Sequence, residues 1–143
     1  MATGARETVF VTDPAGFIGA ELVRFLVARG HRVFALTGSF DAAEHIRRAG
    51  ATAIIGDLLT PGRWQDEAAA DWVFHLTPQS LGRVRFAGTR ATPTARALVA
   101  MDNHLFDAVS AGATRRIVYV ADTRCYGSAG ARPITEDEPP RPS

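Results

Sequence analysis

The sequence predicts an α/β domain built on a doubly wound parallel sheet. Short apolar runs rich in β-branched residues alternate along its 143 residues with segments of helical periodicity. The runs are apolar throughout, which is typical of strands that are buried on both faces of a parallel sheet. Strands that alternate with helices connect through right-handed crossovers, and these crossovers cover both faces of the sheet with helices.

The elements follow from this pattern in chain order. The first strand is "TVFVT", Thr8 to Thr12, and the first helix runs from Gly19 to Gly30, where a glycine ends it. The remaining segments are the strand "RVFAL", the helix "DAAEHIRRAG" ending at Gly50, the strand "ATAIIG", the short helix "RWQDEAAA", the strand "DWVFHL", the long helix from Ala95 to Ala111 closed by Gly112, and the strand "RRIVYVA".

The end of the chain differs from the rest in composition. The segment "YGSAGARPITEDEPPRPS" is polar and rich in proline, and it shows no periodicity. With 46% hydrophobic and 22% charged residues, the rest of the chain suits a single domain with a full core. We therefore predict one domain over residues 1–127 and a polar, proline-rich tail over residues 128–143.

Composition argues against several classes of function. A formal net charge of +1 creates no strong field, so neither nucleic-acid binding nor binding to an anionic membrane surface is expected. No apolar run approaches the roughly 18 residues that span a bilayer, and the N-terminus lacks an apolar signal region, so we expect a cytoplasmic protein. The single cysteine excludes an internal disulfide, and the 4 histidines lack ligand spacing, so no metal site is expected.

The connection between the first strand and the first helix has the pattern of a phosphate-binding turn. Such a turn uses one glycine for the tight turn, a second for approach of the backbone to a diphosphate and a third for helix–strand packing. These positions are Asp13, Gly16 and Gly19 here. The two glycines keep amide donors and the positive helix end available to an anion. Asp13 tolerates a left-handed backbone, but its carboxylate would repel a diphosphate unless the side chain turns back onto the turn or the helix.

The glycines of "GFIG" also have a simpler interpretation. On its own, this motif is consistent with a helix start at which glycine serves only for packing. Its location between a strand and a helix, at the opening of a βαβ unit, favours anion binding over that alternative.

The stretch "TDPAGFIGAELVRFLVARGHRV" resembles the "TGxxGFIG" opening of the extended short-chain dehydrogenases/reductases, the NAD-dependent epimerase/dehydratase group. The resemblance continues in order through "IIGDL", "WVFHLT", "GATRRIVYV" and the polar tail, and so covers essentially the whole chain. It implies a Rossmann-like domain that binds NAD or NADP. The cofactor-binding positions that it implies are Asp13, Ala15, Gly16, Phe17, Ile18, Gly19, Asp57, Leu58, Leu76 and Thr77.

The resemblance also implies which part of the cofactor each of these positions would contact. The loop from Gly16 to Gly19 would line the pyrophosphate, Asp57 and Leu58 would meet the adenine, and Leu76 with Thr77 would lie along the cofactor. Without the resemblance, Asp57 after a strand is interpreted as a turn or cap residue, and that alternative stays open.

The choice between NAD and NADP is not decided by the sequence. An acidic residue at the end of the second strand would bind the ribose of NAD, and an arginine would suit the phosphate of NADP. The segment from Leu36 to Ser39 has neither residue. Arg47 and Arg48 on the next helix are interpreted as a solvated face rather than a phosphate clamp.

The catalytic tyrosine–lysine pair of the family is absent from this sequence. The resemblance implies a tyrosine as general acid/base and a lysine four residues later that lowers the tyrosine's pKa. All 16 basic residues are arginines, so the chain cannot supply this pair. Tyr119 is followed at that spacing by Thr123, and Tyr126 by Gly130. We therefore assign no catalytic residue.

Two further departures lie upstream of the missing pair. The serine or threonine expected to orient a substrate falls on Asp122, and an asparagine expected on the long helix falls on Ala97. Together with Asp13, these substitutions favour a lineage that is no longer held to catalysis. The preferred function is therefore a dinucleotide-binding module that is catalytically incomplete on its own, acting as a cofactor sensor or with a partner.

Two alternative functions stay open. The chain is either the cofactor-binding part of an oxidoreductase or epimerase completed by a partner chain or a C-terminal half, or a protein-interaction scaffold that binds no cofactor. The long helix and the apolar surface left by a missing C-terminal half predict self-association or a partner chain.

Overall fold

The predicted α/β fold with an all-parallel sheet is confirmed by a computed structural model, which describes residues 6–76, 92–121, 126–127 and 132–141. The elements are β1 (Thr8–Val11), α1 (Phe17–Ala28), β2 (Arg32–Thr37), α2 (Phe40–Arg48), β3 (Thr52–Ile55), α3 (Trp64–Ala68), β4 (Trp72–His75), α4 (Thr92–Ser110) and β5 (Arg116–Tyr119).

The sheet has the strand order β3-β2-β1-β4-β5, and each neighbouring pair is parallel. The chain therefore starts in the middle of the sheet, moves outward to β3, and then crosses back to β4 on the other side of β1. This reversal leaves a crevice outside the carboxyl ends of β1 and β4, which is where open α/β sheets bind ligands.

Each face of the sheet has its own core because successive strand residues point to opposite sides. In β1, Val9 and Val11 pack with Val23 and Leu26 of α1 on one face. Phe10 points to the other face, where the apolar cluster includes Trp64 of α3 and Met101 and Leu105 of α4. The two helical layers confirm the doubly wound arrangement that the sequence predicts.

Helix starts differ from the predicted ones by a few residues. α1 begins at Phe17 rather than Gly19, since Gly16 is the N-cap and its carbonyl accepts from the Ala20 amide at 3.0 Å. α4 begins at Thr92 rather than Ala95. Glycine does mark the end of α1, because Gly30 adopts a left-handed φ of 83° just beyond it.

Asp71 links the amino ends of β1, β4 and β5. One of its carboxylate oxygens accepts from both the amide and the hydroxyl of Thr8, each at 2.8 Å, and the other lies 3.2 Å from Arg115. The Thr8 hydrogen bonds, backbone first, hold the pKa of the Asp71 carboxyl below its usual value, and Arg115 adds to the effect. This cluster lies at the amino ends of the strands, on the side of the sheet away from the crevice.

Among the described residues, we find no helix with the length and apolar character to cross a membrane.

Candidate functional site

Asp13 closes the turn between β1 and α1 in a left-handed conformation. Its φ is 47°, and its carbonyl accepts a hydrogen bond from the Gly16 amide at 3.1 Å. Aspartate is among the residues that tolerate this region of backbone space, because its short polar side chain can bond locally. Asp13 thus makes the tight turn for which glycine would be typical.

The two glycines of the loop both lie against Asp13. A Cβ added at Gly16 would lie 2.4 Å from the Asp13 Oδ2, so the carboxylate folds back over this part of the loop. A Cβ added at Gly19 would lie 2.0 Å from the Asp13 carbonyl oxygen. Packing against the backbone of the turn therefore accounts for Gly19 without a ligand, whereas the atom nearest to a Cβ at Gly16 belongs to the rotatable side chain of Asp13.

The residues at the start of α1 are largely exposed, while Gly16 itself is half-buried beneath the Asp13 carboxylate. Gly16 has no side chain to cap the helix, and the first-turn amides of an α-helix have no partners within the helix. Ala15, Phe17 and Ile18 are exposed at this end, with Phe17 89% accessible. Amides that point outward at the positive end of a helix suit an anionic group.

The exit of β4 is bonded directly to the exit of β1. The Thr12 hydroxyl accepts from the Leu76 amide at 2.9 Å and lies 3.0 Å from the Leu76 carbonyl oxygen. Thr12 and Leu76 are both buried, at 0% and 5% exposure. The residue after Leu76, Thr77, lies outside the described residues. The structure therefore brings Leu76 next to the turn that Asp13 closes.

A hydrogen-bonded chain continues from Thr12 into α4. His75 is 3% exposed, and its Nδ1 lies 3.0 Å from the Thr12 hydroxyl. The opposite ring nitrogen, Nε2, lies 2.8 Å from a carboxylate oxygen of Asp102, whose other oxygen accepts from the Tyr119 hydroxyl at 2.9 Å. We call Thr12, His75, Asp102 and Tyr119 the exit network, since it joins the ends of β1, β4 and β5.

The exit of β3 is organised by its own turn and by α4. An Asp57 oxygen accepts from the Leu59 amide at 2.9 Å, which is the turn role that the sequence left open for this residue. Leu58 is 5% exposed and belongs to the core, and its carbonyl bonds His104 Nδ1 at 2.8 Å. The described contacts do not join Asp57 or Leu58 to the glycine loop.

The exit of β2 uses its polar groups to begin α2. The Thr37 hydroxyl accepts from the Ser39 amide at 3.2 Å, and the Ser39 hydroxyl accepts from the Ala42 amide at 3.3 Å as the N-cap. This is the position at which a ribose-binding carboxylate or a phosphate-binding arginine would be expected.

Sequence reasoning missed Asp102, His104 and Tyr119 as residues that shape this edge. His75 and His104 lie on different elements without ligand spacing in the sequence, and within the described part of the chain no three metal-binding side chains come together. A signal for Asp102 does exist: it lies one turn before Leu105 and Phe106, on a helix whose periodic residues face the sheet. An acidic residue at such a position needs a partner on the sheet.

A family model and two curated relatives match this chain, and the family model covers nearly all of it. The model of the NAD dependent epimerase/dehydratase family matches residues 9–143. UDP-glucose 4-epimerase 4 of Oryza sativa subsp. japonica is 30% identical over 155 residues, covering 99% of this chain and 41% of that protein. A Schizosaccharomyces pombe protein, Uncharacterized protein C2A9.02, is 50% identical over 50 residues, which are 35% of this chain and 17% of that protein.

Solved structures show the same architecture. MoeE5 in complex with UDP-glucose and NAD is 30% identical with a TM-score of 0.73, covering 94% of this chain and 42% of that one. WbmG of Bordetella bronchiseptica, in complex with NAD and UDP, is 20% identical with a TM-score of 0.77, covering 100% and 46%, and shows the likeness of fold. The chain thus spans less than half the length of each of these relatives.

Proposed function

Because this chain belongs to the NAD dependent epimerase/dehydratase family, we propose that it is a dinucleotide-binding module that is catalytically incomplete on its own. The observation that carries the proposal is the largely exposed helix start that follows Gly16, located at the point where the sheet order reverses between β1 and β4. Backbone amides and the helix dipole at that point suit the diphosphate of a dinucleotide.

We infer the cofactor contacts from this arrangement. The loop residues Asp13, Ala15, Gly16, Phe17, Ile18 and Gly19 would surround the pyrophosphate. Leu76 and Thr77 at the exit of β4 would lie along the cofactor towards the nicotinamide. At the exit of β3, Asp57 and Leu58 would meet the adenine through their backbone, because the Asp57 carboxylate is held in its turn and Leu58 is buried.

NAD is the better supported cofactor. The MoeE5 structure, 30% identical to this chain, contains NAD. The exit of β2 offers neither the carboxylate nor the arginine that would choose between the two cofactors, and its hydroxyl groups are occupied at the start of α2. We expect weak discrimination between NAD and NADP.

The incomplete catalysis follows from the groups that the chain lacks. With arginine as its only type of cationic side chain besides histidine, it has no amine to lower the pKa of a tyrosine. Tyr126 is the tyrosine nearest the tail, and the residue four places later is Gly130. We therefore propose that residues 1–127 form the binding domain and residues 128–143 a tail, without a catalytic set.

An enzyme completed by further polypeptide is the second candidate, and one observation favours it. The chain covers 41% of the rice epimerase and 42% of MoeE5, so those relatives contain more polypeptide than this chain can match. A partner chain or a C-terminal half would then supply the tyrosine and the lysine. A scaffold without a cofactor is the third candidate, supported by the packing role of Gly19.

Titration calorimetry with NAD⁺, NADP⁺ and UDP-glucose tests the proposal. We expect NAD⁺ to bind with a Kd in the micromolar to millimolar range, which corresponds to about −8 to −4 kcal/mol. UDP-glucose serves as a diphosphate control that lacks the nicotinamide half. If neither the wild type nor Asp13→Gly releases or absorbs heat with any dinucleotide, the binding proposal fails and the scaffold is favoured.

A further inference from the structure

Two phenylalanines are the most exposed large apolar residues in the described part of the chain. Phe17 is 89% accessible and Phe40 is 78% accessible. Each is the first residue of its helix, Phe17 of α1 and Phe40 of α2. Both helices pack on the same face of the sheet, since Leu26 of α1 and Ile46 of α2 belong to one apolar cluster. The two phenylalanines therefore lie at the same edge of the sheet, beyond the exits of β1 and β2.

Further exposed apolar residues extend this edge to the exit of β3. Ile18 follows Phe17 and is 53% accessible, while Ile55 at the end of β3 and Leu59 just beyond it are 43% and 39% accessible. We call Phe17, Ile18, Phe40, Ile55 and Leu59 the apolar rim. A single exposed apolar residue is ordinary on a protein surface, but five of them around three neighbouring strand exits indicate contact with an apolar or aromatic group.

The surface between the exits of β2 and β3 consists of backbone. The Gly56 amide donates to the Thr37 carbonyl at 3.1 Å, so the two exits lie side by side. Gly38 has no side chain, and a Cβ built on it would lie 3.7 Å from the Gly56 carbonyl oxygen, which is an ordinary contact. Space is therefore left for a flat group between Phe40 and the exit of β3.

The exit of β2 has no charged group with which to bind a ribose. The segment from Leu36 to Ser39 contains no ionisable side chain, and the exposed Asp41 beyond it has the same sign of charge as a phosphate. What this exit offers is the ring of Phe40. The Cα–Cβ bond of a helical residue tilts towards the start of its helix, which here is the exit of β2. Aromatic side chains at such positions can bind a nucleotide base by stacking.

We propose that Phe40 stacks on the adenine of the dinucleotide, so that most of the affinity lies in the adenosine diphosphate half of the ligand. This inference rests on the proposed function and adds a specificity-determining residue to it. The diphosphate at the start of α1 and the adenine at Phe40 use only β1 to β3 and their helices. The nicotinamide half gains nothing from the tyrosine–lysine pair, which the chain lacks. The ligand class is therefore adenine nucleotides with a diphosphate, including ADP.

Calorimetry with ADP, NAD⁺ and nicotinamide mononucleotide tests the assignment, because ADP lacks the nicotinamide and the mononucleotide lacks the adenine. We expect ADP to bind within about threefold of NAD⁺ and the mononucleotide to bind about tenfold or more weakly. Phe40→Ala should weaken ADP and NAD⁺ alike, by about fivefold or more. Phe40→Trp keeps an aromatic face and should retain the wild-type affinity. Phe40→Leu keeps apolar bulk without that face and should bind as weakly as Phe40→Ala.

Phe25→Ala is the matched control. Phe25 is also an exposed phenylalanine, 51% accessible, but it lies about two turns further along α1, with the Arg29 guanidinium 4.1 Å from its ring centroid. Its variant should bind ADP within about twofold of the wild type. A second measurement reports the stacking directly. The adenine H2 and H8 proton resonances of ADP should move upfield in the presence of the wild type, and this shift should be lost with Phe40→Leu.

The possible failures can be told apart. Unchanged affinity of Phe40→Ala for NAD⁺, or binding of nicotinamide mononucleotide as tight as that of NAD⁺, overturns the inference and leaves dinucleotide binding intact. Binding of NAD⁺ without binding of ADP overturns it as well. If the wild type binds neither ADP nor NAD⁺, the proposed function itself fails, and the assignment of Phe40 fails with it.

Discussion

The carbonyl oxygen of Asp13 lies so close to Gly19 that a Cβ added there would be only 2.0 Å from it, and 2.9 Å from the Cα of Pro14. Both contacts are to backbone atoms, which cannot rotate away. Gly19→Ala must therefore displace either the turn or the start of α1. We expect it to lower the free energy of unfolding by about 2 kcal/mol or more, measured by denaturant unfolding.

Gly62→Ala is the matched control for this prediction. A Cβ at Gly62 would meet its nearest atom, Cδ1 of Trp64, at 3.6 Å, which is an ordinary contact. Its effect should stay within about 0.5 kcal/mol, as for most surface substitutions. Equal stabilities of the two variants would contradict the argument from the turn.

Substitutions at Asp13 separate its charge from its shape. Asp13→Asn keeps a side chain that tolerates the left-handed φ of 47°, but it removes the carboxylate. Asp13→Gly removes the whole side chain, including the carboxylate. If charge is what weakens diphosphate binding, both variants should bind NAD⁺ about tenfold more tightly than the wild type, equivalent to about 1.4 kcal/mol, by calorimetry. If only Asp13→Gly binds NAD⁺ more tightly, the bulk of the side chain that folds over Gly16, rather than its charge, weakens binding in the wild type.

The sheet could be predicted from the sequence because its strands are continuous apolar runs. "TVFVT", "RVFAL" and "DWVFHL" are apolar nearly throughout, which implies a parallel sheet that is covered on both faces. The strand order was then limited by right-handed crossovers. Helix starts were harder to place, because glycine serves both as the N-cap of α1 and as a buried residue within its first turn.

The candidate site could be predicted only in part. The glycine loop is a local pattern, so residues close in sequence carry it. The exit network is not local: Thr12 and His75 are 63 residues apart, and His75 and Asp102 are 27 apart. A histidine in a strand and an aspartate in a helix give no joint signal until the sheet register brings them together. The same holds for His104 and Leu58.

Asp71 should make the stability of the protein depend on pH. Its pKa is lowered in the folded state, chiefly by the Thr8 hydrogen bonds, so it contributes stability above the ordinary carboxyl value of about 3.9. That contribution is lost as the pH falls through the lower folded value. Asp71→Asn should therefore lower the Tm at neutral pH and approach the wild type in acid. Asp137→Asn, which changes an exposed residue of the tail, is the control and should follow the wild type at every pH.

The edge strand β5 should cause self-association of the chain in solution. Its residues are all exposed, with Ile117 and Val118 39% and 38% accessible, and Tyr119 at its end lies against the partly exposed Phe106 of α4. An exposed apolar edge strand pairs readily with another chain, and a charge on it prevents this pairing. We expect light scattering to show association that Val118→Glu reduces. Ile134→Glu changes an exposed apolar residue of the tail and should leave the association unchanged. A wild type that stays monomeric at high concentration would contradict this expectation.

The purified chain should show no hydride transfer by itself. Without a lysine, neither tyrosine has the neighbour that would lower its pKa, and Tyr119 has its pKa shifted the other way by burial and by Asp102. The sequence position expected to orient a substrate hydroxyl is Asp122, which lies outside the described residues; an ionised carboxylate there would repel a developing oxyanion.

Loss of a general acid/base alone slows a reaction by about 10²- to 10⁴-fold, and here its helpers are missing as well. The measurement follows nicotinamide absorbance with ketones, aldehydes and sugar nucleotides, first with the pure protein and then with lysate of the source cells. Turnover by the pure protein that disappears in Tyr126→Phe would overturn the prediction, because it would require chemistry from a tyrosine that has no lysine partner. Turnover that needs both lysate and this chain would instead identify the cofactor-binding part of a divided enzyme.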